Sequence, residues 1–266
     1  MLRSLPVLRR SLLDSWRSLL GWALGITAAL LLYLPLFPSI GGNGQMQQII
    51  EGLPPELVKT LGYEQIATGS GYTQGTFYGL IGFLLLVIAA TSWGSSAIAG
   101  AEESGRLELA LAHAVGRTQY AVESALSIAV RLILLGAFAA VLVLALNGPS
   151  ELGLEPSNVV AVTAALVGLT LLTATVALAA GALSGRRVIG TAAGAGVAVI
   201  GYVLNAVANQ AADAEGLRAF SPYAWAYAES PLVEGADWRG LALLWGTSAV
   251  AAAIAVIALR RRDVTG

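Results

Sequence analysis

Cysteine is absent from this 266-residue sequence, histidine occurs once, at His113, and lysine occurs once, at Lys59. Without cysteine there are no disulfides and no thiolate chemistry, and one histidine cannot build a His/Cys metal cage. Charged residues make up only 12% of the chain, whereas an ordinary soluble domain carries roughly a quarter. That shortage argues against a soluble enzyme, a nucleic-acid binder and a disordered protein. Basic and acidic side chains nearly balance, at 15 and 16, so no global field draws the chain toward nucleic acid. What remains is apolar: 56% of the residues are hydrophobic, and all but one of the basic side chains are arginine.

The charge-free stretches organise the chain. They run 18–50, 65–101, 132–150, 156–185, 188–212 and 240–259. A helix of roughly 20 apolar residues crosses a hydrocarbon core about 30 Å thick. Trimmed at turn signals, the windows predict spans near 19–37, 77–99, 124–146, 159–183, 188–209 and 241–259. The third reaches back past Arg131 because 125–130 continues the apolar run. Unpaired backbone groups are costly in lipid, so spanning segments must be helices, and period-2 alternation of a β-barrel is missing. The expected fold is an all-α integral membrane protein, with residues 1–266 forming one six-span domain.

Arginine placement gives the orientation. Eleven arginines fall in the N-terminus, the 100–123 and 184–187 loops and the C-terminus, while the opposite side holds Lys59, Arg218 and Arg239. The positive-inside bias therefore puts both termini in the cytoplasm. The N-terminal apolar stretch exceeds a signal peptide's usual core and lacks an A-x-A cleavage site, so it reads as a retained span. Before it, Leu5, Leu8, Leu12, Leu13, Trp16 and Leu20 fall near one helical face. That pattern suits a helix lying in the cytoplasmic interface, although a simple positive flank would also contain these residues.

Function is most legible in the loops. The external loop 38–76 contains LPPELVKTLG at 53–62, which reads as a short helix started by paired prolines. The last external loop, 210–240, carries Phe220, Pro222, Tyr223, Trp225, Tyr227 and Trp238. Its aromatic rings suit the membrane boundary, either as anchors or as parts of an outer gate. The internal loop 100–123 packs six charges into a chain that elsewhere avoids them. Its 101–112 segment has helix-forming composition apart from Gly105, with acidic residues in the first turn. Leu107 and Leu111 share a face with Ser104, and Glu103 and Arg106 have the spacing of an ion pair. Such a helix can seat in a soluble partner's groove or lie solvated.

The stretch SGYTQGTFYGLIGFLLLVIAATSWGSSAIAGAEESGRLELALAHAVGRTQY resembles the second span and following cytoplasmic helix of ABC-2 type permeases, the membrane subunits of ABC exporters. The likeness rests on Gly71 and Tyr72, on Ala97-Ile98-Ala99-Gly100, and on Glu102-Glu103-x-Gly105-x-Leu107-Glu108 closing at Arg117. It continues in Phe220-Ser221-Pro222-Tyr223-x-Trp225, Pro231-Leu232 and Arg261-Arg262-Asp263. Drug and polyketide-antibiotic exporter permeases are similar in order and topology across nearly the whole chain. Two positions depart from the family pattern: Ala114 stands where it often has proline, and Ala110 where it has a larger apolar residue.

The resemblance implies a coupling helix between spans two and three that seats in an ATPase subunit, at Glu102, Glu103, Gly105, Arg106, Leu107, Glu108 and Leu111. It also implies two ATPase subunits, which hold ATP and Mg, and a second permease subunit, identical or related. The first and fifth spans would form much of the permease–permease interface. Gly190-x-x-x-Gly194 in the fifth span has the small-residue spacing for close helix approach, toward a partner or within one chain. Phe220, Pro222, Tyr223 and Trp225 are the candidates for an outer gate. No cofactor or metal is expected on this chain.

Lys59 is followed by Thr60 but preceded by Val58, so no G-x-x-x-x-G-K-[ST] phosphate loop exists, and ATP must be bound by other chains. An intramembrane serine protease needs a histidine within the membrane, and His113 lies in the internal loop. Ion-coupled carriers place ionisable groups near the midplane. Arg131 is the only charge inside a span, and can snorkel to the interface, pair with Glu123 or face a cavity. The expectation is a permease subunit in a prokaryotic plasma membrane, exporting a hydrophobic or amphipathic compound such as a drug, antibiotic or lipid-like molecule. The alternatives are an ATP-independent secondary transporter and a non-transporting scaffold.

Overall fold

Backbone groups in lipid must be satisfied within their own segment, which leaves helices as the way to build this chain. The computed structural model describes residues 5–40, 52, 68–112, 115–210 and 212–262, and among them there is no strand. The elements are α1 (Pro6–Asp14), α2 (Trp16–Tyr33) continued by a 3-10 turn and α3 (Phe37–Ile40), α4 (Gly69–Thr73), a π-helical segment (Gln74–Ile81) and α5 (Gly82–Ala97). Then come α6 (Ala99–Glu103), α7 (Arg106–Ala112), α8 (Arg117–Asn147), α9 (Pro156–Ser184), α10 (Arg187–Gln210), a 3-10 segment (Ala212–Phe220), α11 (Pro222–Tyr227), α12 (Pro231–Glu234) and α13 (Trp238–Arg261).

Six helical stretches are long and apolar enough to cross a membrane: Trp16–Ser39, Gly69–Ala97, Arg117–Asn147, Pro156–Ser184, Arg187–Gln210 and Trp238–Arg261. Each contains most of one expected span. The second begins eight residues before the expected 77, because Thr68 caps it, accepting the Gly71 N–H at 3.1 Å. The third runs unbroken from Arg117, well before the apolar run begins.

The fourth span is the axis of the bundle. In its most apolar window 83% of the residues are buried, against 17% for the first span and 22% for the fifth. Its surface suits that place, since Ala, Thr and Gly admit neighbours closely. The hydroxyls of Thr170, Thr173 and Thr175 donate to carbonyls three or four residues earlier on the same helix.

One end of the bundle gathers α1, α6, α7, the α9–α10 turn and the last residues of α13; it is termed the arginine end. The opposite end carries the 212–237 segment. His113, Lys59 and the expected 53–62 helix lie outside the described residues.

Candidate functional site

The charged 100–112 segment forms two helices instead of one. Gly105 adopts φ +69°, the left-handed region that favours glycine, and the chain turns there between α6 and α7. Ser104 reinforces the break by donating to the Gly100 carbonyl at 2.8 Å, and Arg106 Nε donates to Ser104 Oγ at 2.8 Å. This turn also corrects the expected Glu103–Arg106 pair, since each side chain has another partner.

The leucine ridge of α7 faces inward. Leu107 is fully buried in the core and Leu111 packs against it. Arg106, Glu108 and Leu109 form the outer face, with Leu109 63% exposed. Sequence periodicity identified the apolar stripe, but that stripe seats α7 on its own bundle.

The two glutamates at the end of α6 bind span ends. Glu102 forms an ion pair with Arg262, just past α13, with side-chain exposures of 14% and 24%. Glu103 Oε1 accepts the N–H of Arg187, the first residue of α10, at 2.8 Å. Arg262 is held a second time, because Arg117 Nη1 donates to its carbonyl at 2.8 Å. Tyr120, one turn along α8, donates to the Ala97 carbonyl at 3.1 Å.

A second polar cluster fixes α1 on the third span. Leu5, the residue before α1, supplies no side-chain cap, and the Leu8 N–H instead donates to Glu123 Oε2 at 2.8 Å. Gln119 donates to the other carboxylate oxygen at 2.7 Å. Arg131 turns back toward the arginine end, where its Nη2 donates to Ser11 and Ser127, each at 2.7 Å. Its guanidinium also lies 5.1 Å from the Trp93 ring centre. Among the described residues no ion pair joins Arg131 to Glu123.

Gly190 and Gly194 are buried within the chain. A Cβ on Gly190 would stand 2.7 Å from the Ala177 carbonyl, and one on Gly194 2.8 Å from that of Thr173, both on the fourth span. The close approach these glycines permit is therefore made inside one subunit. The large apolar side chains that the fifth span exposes are Val188, Ile189, Val199, Ile200, Val203 and Val207.

At the opposite end, α11 reaches into the bundle. Ser221 caps it, accepting the Ala224 N–H at 3.0 Å, and donates to Gly201 of the fifth span at 2.6 Å. Tyr223 and Tyr227 lie one turn apart, and their hydroxyls donate to the Gly79 and Tyr78 carbonyls, both at 2.8 Å. Those carbonyls belong to the π-helical segment of the second span, where the wider turn disturbs the regular ladder. Tyr223 also meets the rings of Phe83, Tyr202 and Tyr227. Burial first, then the Tyr223 and Tyr78 hydroxyls, push Tyr227 well above its usual range, so it stays a donor. Pro222 and Trp225 are half-buried beside it, with Trp225 donating to the Ala219 carbonyl at 3.0 Å, while Phe220 points outward. The 210–240 loop thus carries rings turned into the bundle as well as exposed ones, Phe220 and Trp238. In the sequence Tyr227 stands only as one ring of this loop, and its four-residue spacing from Tyr223 is the signal that the two share a face.

A six-helix bundle with an apolar exterior, a charged helical hairpin at one end and an inserted aromatic helix at the other defines a multi-pass membrane domain. The family described as ABC-2 family transporter protein matches residues 5–264, and the chain belongs to it. It is a membrane transport subunit and not itself catalytic. Among curated proteins none matches the chain.

Proposed function

We propose that the chain is the permease subunit of an ATP-driven exporter, with the arginine end in the cytoplasm. Its family membership implies association with ABC ATPase subunits. The observation that carries the reading is α7, an exposed charged helix rooted in the bundle by Leu107 and tied to span ends through α6. Two ATPases, holding ATP and Mg, would each seat one such helix on the outer face formed by Arg106, Glu108 and Leu109. Glu102, Glu103, Gly105, Leu107 and Leu111 belong to the same coupling unit but support it from behind.

The thinly covered first and fifth spans favour a second permease subunit, identical or related, across their outer faces. Gly190 and Gly194 would assist that interface by fixing the fifth span's position. The amphipathic α1 would lie at the cytoplasmic lipid interface. Scarcity of ionisable groups within the spans suits a hydrophobic or amphipathic cargo, such as a drug, antibiotic or lipid-like compound, in a prokaryotic plasma membrane. Phe220, Pro222, Tyr223 and Trp225 would serve an outer gate, with Tyr223 latched to the second span.

Affinity capture with candidate ATPases, followed by ATP hydrolysis in nanodiscs, tests the reading. Retention of an ATPase and stimulation of its hydrolysis by a hydrophobic compound are expected. Absence of association both with and without nucleotide removes the reading.

A further inference from the structure

At the arginine end, α7 is seated on the bundle by Leu107 and joined to α6, whose last two residues bind different helices. Glu102 is mostly enclosed and pairs with Arg262 at the end of the sixth span. The Arg262 Nε is buried with no hydrogen-bond partner among the described residues, while its Nη2 makes the pair with Glu102. Its carbonyl is fixed separately by Arg117, at the start of the third span. Glu103 takes the N–H of Arg187 at the N-terminus of the fifth span, where unpaired donors and the helix dipole favour a carboxylate. Both bonds lie on the α6 side of the Gly105 turn, and α7 lies on the other.

We propose that Glu102 and Glu103 are positioning residues that divide displacement of α7 between the sixth and fifth spans, and are not themselves contacts for the ATPase. The inference rests on the permease reading and deepens it. A push on α7 turns α6 about the Gly105 junction. The Glu102–Arg262 pair then draws the end of α13, and the Glu103 bond draws the start of α10. The short turn at Gly185 joins α10 to the central α9, which is enclosed on most sides. The fifth and sixth spans therefore move against a fixed axis.

The sequence has no cysteine, so introduced cysteines can be labelled without background. Labels at Val188 and Ile257, both exposed, report the separation of the fifth and sixth spans. In the full complex with ATPase subunits in nanodiscs, their distance is measured by pulsed EPR without nucleotide and with ATP plus vanadate. The parent labelled chain is expected to shift on nucleotide binding. Glu102→Ala with Glu103→Ala should still capture ATPase while the nucleotide-driven equilibrium weakens about tenfold. Glu102→Asp should retain the shift, and the exchange Glu102→Arg with Arg262→Glu should recover what Glu102→Ala loses. A folded double-alanine variant that captures ATPase and shifts like the parent overturns the proposal. So does an exchange that folds, captures ATPase and stays unresponsive. Failure of the parent chain to capture any ATPase instead removes the permease reading, and this inference with it.

Discussion

The Tyr223 hydroxyl donates to the Gly79 carbonyl at 2.8 Å, joining the short helix between the fifth and sixth spans to the π-helical turn of the second. Tyr223→Phe keeps the ring and removes the hydroxyl that makes this bond, leaving the Gly79 carbonyl short of one donor. The expected cost is about 1–2 kcal/mol, which in a chain of this size lowers the melting temperature by roughly 2–8 °C. Thermal unfolding of the purified protein measures it, and an unchanged midpoint would mean the latch contributes nothing to stability.

Leu107 and Leu109 are two residues apart on α7 and have opposite surroundings, one fully buried and the other 63% exposed. Leu107→Asp puts a carboxylate in the core and is expected to destabilise the protein by about 3 kcal/mol or more. Leu109→Asp should change stability by less than about 0.5 kcal/mol yet sharply reduce ATPase capture. Melting curves paired with capture assays separate the two effects. Equal loss of stability in both variants would contradict the inward ridge.

Gly190→Leu tests where the fifth span's close approach is made. Its side chain would run into the Ala177 carbonyl, so the isolated subunit should lose stability by about 3 kcal/mol or more. Gly196→Leu on the same helix faces open space and should be tolerated. The measurement is the melting temperature of detergent-solubilised monomer. A Gly190→Leu monomer as stable as the parent, but unable to pair, would move this glycine to a subunit interface.

Glu123→Ala removes the acceptor of the Leu8 N–H at the start of α1. Loss of a hydrogen bond to a charged group costs about 1.5–3 kcal/mol, or roughly ten- to a hundredfold in local opening. Amide exchange across 6–14 should accelerate accordingly, while exchange in the central fourth span should not. Arg131→Ala, which removes the bond to Ser11, should act in the same direction.

The six spans were legible because lipid penalises charge strongly enough that charge-free windows mark them. Their ends were less so, since a helix such as α8 runs on past the apolar stretch with no apolar requirement on its first turns. The π-helical segment was invisible, because α and π turns draw on the same residues. At the candidate site, the amphipathic period of Leu107 and Leu111 was readable, but its direction depended on whether the bundle offered a seat. The Gly190–Gly194 spacing likewise announced a close approach without naming the partner. Glu102–Arg262 joins residues 160 positions apart, a separation over which no local pattern operates.

The fourth span, enclosed in the finished bundle, is also a record of how such a bundle can be assembled. Every span must be tolerated by lipid before its later neighbours arrive, and a helix that presents free hydroxyls would be poorly suited to that wait. Thr170, Thr173 and Thr175 resolve the conflict by bonding to their own helix. The span thus carries small, packable side chains while hiding their hydroxyls from the bilayer. Insertion and burial place opposite demands on one segment, and self-bonded threonine satisfies both in turn.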